Sequence, residues 1–134
     1  MRTRQFLALA FLATFLLALP AWSLELCSCQ EGCTVISGTS GDDKLFGTND
    51  CDCINGKSGN DLVYGYDGDD DLCGEYGNDE LYGHGGDDFI LAGPGDDELY
   101  GGGGTDILSA GPGEDVCVGG EILYNCEITL DPNR

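Results

Sequence analysis

Between Gly38 and Val118 the chain repeats every nine residues, nine times over, with no insertion or deletion. The units read GTSGDDKLF, GTNDCDCIN, GKSGNDLVY, GYDGDDDLC, GEYGNDELY, GHGGDDFIL, AGPGDDELY, GGGGTDILS and AGPGEDVCV. The sixth place is always aspartate: Asp43, Asp52, Asp61, Asp70, Asp79, Asp88, Asp97, Asp106 and Asp115. The eighth is always apolar, from Leu45, Ile54 and Val63 through Leu72, Leu81, Ile90, Leu99 and Leu108 to Cys117. The first place is Gly or Ala, and the fourth is Gly except at Asp50. A period this strict dictates the architecture, because a unit this short can bury its one apolar side chain only against neighbouring copies.

Within a unit, the first six places are rich in Gly, Asp and Asn, the residues that tolerate positive φ and close tight turns. The last three alternate outward, inward, outward, as in Lys44-Leu45-Phe46, which is the side-chain period of a strand. Two loops and two strands make one coil of 18 residues, and coils stack as parallel strands about 4.8 Å apart. The expected fold is all-β, a flat two-sheeted parallel β-roll, or β-solenoid. One inward aliphatic per nine residues is too little burial to offset the ordering of nine backbone residues, so something besides hydrophobic packing must hold such a roll together.

Stacking at 18 residues sorts the aspartates into two edge columns: Asp43, Asp61, Asp79, Asp97 and Asp115 on one edge, Asp52, Asp70, Asp88 and Asp106 on the other. Carboxylates that close repel unless cations lie between them. The glycine loops offer backbone carbonyls as further oxygen ligands, at Gly41, Gly59, Gly68, Gly77, Gly86, Gly95, Gly104 and Gly113. An all-oxygen, flexible ligand set suits calcium better than magnesium. One ion between each pair of column neighbours gives about seven calcium sites. An EF-hand reading of Asp67-x-Asp69-x-Asp71 fails, since Leu72 and Asn78 stand where that loop needs Gly and Glu.

The pattern G-G-x-G-x-D-x-U-x, with U a large apolar residue, is that of the calcium-binding repeats of RTX (repeats-in-toxin) proteins, and the nine units resemble this hemolysin-type family. The resemblance implies a right-handed roll, calcium held between loops of adjacent coils by the sixth-place aspartates and loop carbonyls, and folding that depends on the ion. The second place departs from the pattern, being Gly only at Gly93, Gly102 and Gly111, and Asp50 and Cys51 make the second unit the least regular.

The flanks complete four expected segments: a signal peptide over 1–23, a Cys-rich cap over 24–37, the roll over 38–118, and a C-terminal cap and tail over 119–134. Arg2 and Arg4 precede an apolar run from Phe6 to Leu19, and Ala21-Trp22-Ser23 suits signal peptidase. The run is short for a bilayer span, so no membrane span is expected in the mature form. In the N-terminal cap Gly32 and Ile36 keep the frame at the fourth and eighth places, with Thr34 where Asp would stand; beyond Val118, Tyr124 takes the sixth place and Cys126 the inward eighth.

All eight cysteines follow the expected cleavage point, and in an oxidising compartment an even count reads as disulfides. Cys33 and Cys51 share the fifth place one coil apart, and Cys117 and Cys126 share the inward place half a coil apart, so both pairs are disulfide candidates. The pairing of Cys27, Cys29, Cys53 and Cys73 stays open. A zinc site from Cys27-x-Cys29 and Cys51-x-Cys53 is disfavoured by export.

With 25 acidic and 5 basic residues the net charge is −20, which excludes nucleic acid as a natural partner and favours cations. The single His84 and the absence of a nucleophile and base pair argue against an enzyme. The function expected is therefore that of an exported, secreted or periplasmic, calcium-binding module; the alternative is an extracellular adhesion, glycan- or matrix-binding module in which calcium is structural and the ligand unidentified. Phe46, Tyr64, Tyr82, Tyr100 and Val118 form an outward ladder at the ninth place, read as ring-on-ring packing rather than as separate binding platforms.

Overall fold

The computed structural model describes residues 29–126 and the backbone of 128–130; the expected signal peptide and Cys27 lie outside the described residues. The strands fall on the last places of the units, as the alternation requires. One sheet contains, in order, β1 (Thr34–Ser37), β3 (Asp52–Ser58), β5 (Asp71–Tyr76), β7 (Phe89–Leu91), β9 (Ile107–Ser109) and β11 (Ile122–Tyr124). The facing sheet contains β2 (Lys44–Phe46), β4 (Leu62–Asp67), β6 (Glu80–Gly85), β8 (Glu98–Gly103), β10 (Val116–Val118) and β12 (Ile128–Leu130). Successive strands alternate between sheets, every pairing is parallel, and from Thr34↔Asp52 to Glu98↔Val116 the partners are one 18-residue coil apart. The protein is a β-solenoid.

The core is a single file of eighth-place side chains. Ile54, Val63, Leu72, Leu81, Ile90, Leu99 and Leu108 are fully buried, Cys117 closes the file, and Ala92 and Ala110 fill the gaps beside it. Ile90, mid-file, tests how tightly this row is packed. Ile90→Val should lower the stability of the calcium-loaded protein by about 0.5–1.5 kcal/mol, the usual effect of removing one methylene from a core that relaxes only partly, as measured by denaturant unfolding in calcium.

Strand pairing runs further than the alternation alone predicts. In the middle coils it continues over the first three places of the next unit, as in β4, β6 and β8, so the six-residue loop shrinks to a corner. The cause is the second place, where Lys57, Tyr66, Glu75, His84, Gly93, Gly102 and Gly111 all have positive φ. That turn lets the backbone stay in the ladder, with Glu75 N–H donating to Ala92 O at 2.7 Å and Gly93 N–H to Ala110 O at 2.8 Å.

The C-terminal frame differs from the expectation. Ile107 pairs with Ile122, Leu108 with Leu123 and Ser109 with Tyr124, so this rung is three residues short. Gly119 and Gly120, both at positive φ, turn the chain at once instead of through a full loop. Glu121, not Tyr124, thereby takes the sixth place, and Leu123, not Cys126, the eighth. Cys117 and Cys126 are nevertheless bonded, with Cα atoms 5.9 Å apart, because Cys126 folds back from the loop after β11 onto the end of the core. At the other end Cys33 is bonded to Cys51 with Cα atoms 4.9 Å apart, and Cys29 to Cys53 at 5.3 Å; Cys73 is also in a disulfide.

The outward ladder is a continuous stack. Ring centroids lie 5.6 Å apart for Phe46–Tyr64, 4.9 Å for Tyr64–Tyr82 and 4.6 Å for Tyr82–Tyr100, all nearly parallel. Tyr66 and His84, from the second place, join it from the side. Ring faces meet one another, so chiefly their edges meet solvent.

Candidate metal centre

From Asp61 onward, each sixth-place aspartate is locked by the coil before it. The backbone N–H of Asp43 donates to Asp61 Oδ1 at 2.8 Å, that of Asp61 to Asp79 Oδ1 at 2.8 Å, Asp79 to Asp97 at 2.7 Å and Asp97 to Asp115 at 2.9 Å. On the other edge Asp52 donates to Asp70 at 2.8 Å, Asp70 to Asp88 at 2.9 Å and Asp88 to Asp106 at 3.0 Å. These bonds run along both edges in the columns that the 18-residue spacing demands. The second column ends on a residue that the repeat does not announce: Asp106 N–H donates to Glu121 Oε2 at 2.7 Å. One methylene longer than aspartate, Glu121 closes the column from the shortened unit.

The fifth place carries an opposing ladder. Asn60 N–H donates back to Asp42 Oδ1 at 2.8 Å, Asn78 to Asn60 at 2.9 Å, Asp96 to Asn78 at 3.1 Å and Glu114 to Asp96 at 3.0 Å, and Asp87 and Thr105 donate to Asp69 and Asp87 at 2.9 Å each. Asp or Asn at the fifth place in most units was the available signal, overshadowed by the invariant sixth. The two ladders hold each loop from both sides.

With Oδ1 engaged, the other oxygen has nothing to bond. Oδ2 of Asp61, Asp70, Asp79, Asp88, Asp97 and Asp106 is buried and without a hydrogen-bond partner, on side chains at most 2 % exposed. An ionised carboxylate oxygen buried this way is costly. Accordingly burial, above all, raises these acids above the ordinary carboxylate range: Asp70 and Asp79 to about 6, Asp88 and Asp97 to about 7, and Asp61 and Asp106 in the same direction. Neighbouring carboxylates of the same column add to the shift, and the backbone bond to the preceding coil opposes it.

Beside these oxygens stand the first-place glycines: a Cβ on Gly56, Gly65, Gly74, Gly83 or Gly101 would strike Oδ2 of Asp61, Asp70, Asp79, Asp88 or Asp106. At the fourth place the loop backbones of successive coils also come very close. A Cβ on Gly77 would strike Gly59 O, one on Gly95 would strike Gly77 O, and one on Gly113 would strike Gly95 O; on the other edge Gly86 and Gly104 abut Gly68 O and Gly86 O in the same way. Gly41 begins the first column, where Gly59 abuts its carbonyl; on the second edge Asp50 O takes the corresponding position against Gly68. Glycine at the fourth place thus keeps a file of carbonyl oxygens accessible alongside the file of carboxylates.

Among the described residues no three His, Cys, Asp or Glu side chains converge on one point. Cys29, Cys51 and Cys53 are in disulfides, which removes three of the four thiolates of a Cys-x-Cys zinc site. Two columns of carboxylates with one oxygen unengaged, next to backbone carbonyls, form a donor set of hard oxygens only. Such a set fits calcium, which accepts six to eight of them in irregular geometry.

The family model for the RTX calcium-binding nonapeptide repeat matches the chain in four copies, over residues 34–63, 52–81, 64–99 and 82–117. No curated protein and no solved structure matches it.

Proposed function

The chain belongs to the RTX calcium-binding nonapeptide repeat family and is a calcium-binding repeat protein, and from that premise we propose that it is an exported, non-catalytic β-roll that holds calcium between adjacent loops and completes its folding on binding it. One observation carries this reading: the run of buried, unpartnered Oδ2 oxygens from Asp61 to Asp106. The ligands proposed are the carboxylates of Asp43, Asp52, Asp61, Asp70, Asp79, Asp88, Asp97, Asp106 and Asp115 with the fourth-place carbonyls from Gly41 to Gly113. When bound, calcium supplies the positive charge that buried carboxylates in file lack. The protein's own part is to fix one oxygen of each carboxylate through a backbone N–H, leave the other for the ion, and exclude side chains from the carbonyl file with glycine.

Export is supported by the apolar N-terminal run and by the oxidised cysteines. Among the described residues no helix is long and apolar enough to cross a membrane. The stacked aromatic ladder supports a stabilising role for those rings and gives no ground for preferring the adhesion or glycan-binding reading.

Ion content is the direct test. Protein dialysed against calcium is expected to retain several calcium ions per chain, and protein dialysed against the same concentration of magnesium almost none, because the octahedral ion sheds its waters reluctantly. Equal retention of the two, or retention of neither, measured by elemental analysis, overturns the reading.

A further inference from the structure

The first two loops of the roll are built differently from the other seven. Their second places are Thr39 and Thr48, which do not have the positive φ of every later second place; a β-branched side chain resists that conformation. Freed from the ladder, Thr39 N–H turns inward and donates to Asp43 Oδ2 at 2.6 Å, and the Thr39 hydroxyl donates to the same oxygen at 2.9 Å. The hydroxyl also accepts from Gly41 N–H at 3.3 Å. Thr48 repeats the arrangement, with N–H and hydroxyl on Asp52 Oδ2 at 2.6 and 3.1 Å and Asp50 N–H on the hydroxyl at 3.2 Å.

Oδ2, the oxygen left unengaged from Asp61 to Asp106, is thus doubly bonded in Asp43 and Asp52; in Asp52 the buried oxygen without a hydrogen-bond partner is instead Oδ1, on the side of the carboxylate that no preceding sixth-place N–H reaches. On the first edge a cation of the chain itself is also present, since the Lys57 ammonium donates to Gly38 O at 2.7 Å.

Building on the calcium reading, we propose that threonine takes the place of the ion in the first coil: the loops at Asp43 and Asp52 are closed by Thr39 and Thr48, and calcium binds only between loops that both lack this closure. Those intervals are Asp61–Asp79, Asp79–Asp97 and Asp97–Asp115 on one edge, and Asp70–Asp88 and Asp88–Asp106 on the other; Asp106–Glu121 is not one of them, because Gly119 and Gly120 turn the chain there without a loop to supply carbonyls. The intervals Asp43–Asp61 and Asp52–Asp70 hold none, which narrows the ligand set drawn from the repeat as a whole by removing Asp43 and Asp52 from it. The first coil, tied to the N-terminal cap by Cys33–Cys51 and Cys29–Cys53, is then an ion-independent end on which the calcium-dependent coils stack.

The number of bound ions decides the matter. Native mass spectrometry of the oxidised protein in calcium should count five ions for the chain as it stands. The double variant Thr39→Gly, Thr48→Gly restores a residue that accepts positive φ and removes both hydroxyls, and its count should rise to seven. A count of seven in the unaltered protein, or no rise in a folded double variant, overturns the proposal. If the variant does not fold, the unaltered protein's count alone decides, five supporting and seven overturning. No bound calcium at all overturns the calcium reading on which the proposal rests, an outcome distinct from a full complement of seven.

Discussion

Stripped of calcium at neutral pH, the protein is expected to lose most of its β circular dichroism and its protease resistance, and to regain part of both when the ion-free sample is acidified toward pH 4. The first half follows from the buried aspartates. In the ion-free fold at pH 7 Asp61, Asp70, Asp79, Asp88, Asp97 and Asp106 must each either keep an ionised carboxylate with Oδ2 buried and unbonded or take up a proton, and the thin single-file core contributes too little to offset that cost.

The second half follows from the direction of the shifts. Asp88 and Asp97 are raised from 3.8 to about 7, Asp70 and Asp79 to about 6. The folded ion-free state therefore binds protons more tightly than the unfolded chain. Its stability from these groups is fully present below the unfolded value near 4 and is lost as pH rises through 6 to 7. The loss is greatest for Asp88 and Asp97, whose carboxyls are raised furthest. Calcium acts in the opposite sense, since it needs the deprotonated oxygens and its affinity falls as pH falls. Far-ultraviolet circular dichroism of the chelated protein from pH 8 to pH 4 measures both halves; a chelated sample that stays folded at pH 8, or one that gains no structure on acidification, contradicts the account.

The second large effect separates ion ligation from hydrogen bonding. Asp79→Ala removes the acceptor of Asp61 N–H, and Asp115→Ala removes the acceptor of Asp97 N–H. Each variant leaves one buried backbone donor unmade, a loss of about 1–3 kcal/mol. Their ionic consequences differ: Asp79 borders two intervals of its column, Asp115 only one. Asp79→Ala should lose two bound calcium ions and require a markedly higher calcium concentration to fold, while Asp115→Ala should lose one and shift the folding midpoint less. Equal losses in a titration that counts bound ions would show that the edge column is not the binding unit.

The architecture was legible because two features recur without exception: aspartate at the sixth place and an apolar residue at the eighth. They place the strands, the file from Ile54 to Cys117 and the two edges. Other features lay outside what a period reveals. Glu121 closes a column only because Gly119 and Gly120 shorten the last unit by three residues, and counting by nine steps past it to Tyr124. Thr39 and Thr48 look like two more polar loop residues until their missing positive φ is seen. Tyr66 and His84 join the aromatic stack because the left-handed turn carries the second place out onto the sheet with the ninth, whereas the unit alone suggests a loop position for them. Cys29 found Cys53 in a cap whose path no repeat sets.

The alternation of strands between two sheets also limits how such an array changes length. Phe46, Tyr64, Tyr82 and Tyr100 stack on one sheet, and the ninth places of the other sheet hold Asn55, Cys73, Leu91 and Ser109. Excising one nonapeptide would move everything downstream to the opposite wall, setting a tyrosine above asparagine and leaving the stack broken. Excising two would close the gap with like upon like. The gene duplications and deletions this fold can absorb are therefore counted in whole coils of 18 residues, although the sequence repeats every nine.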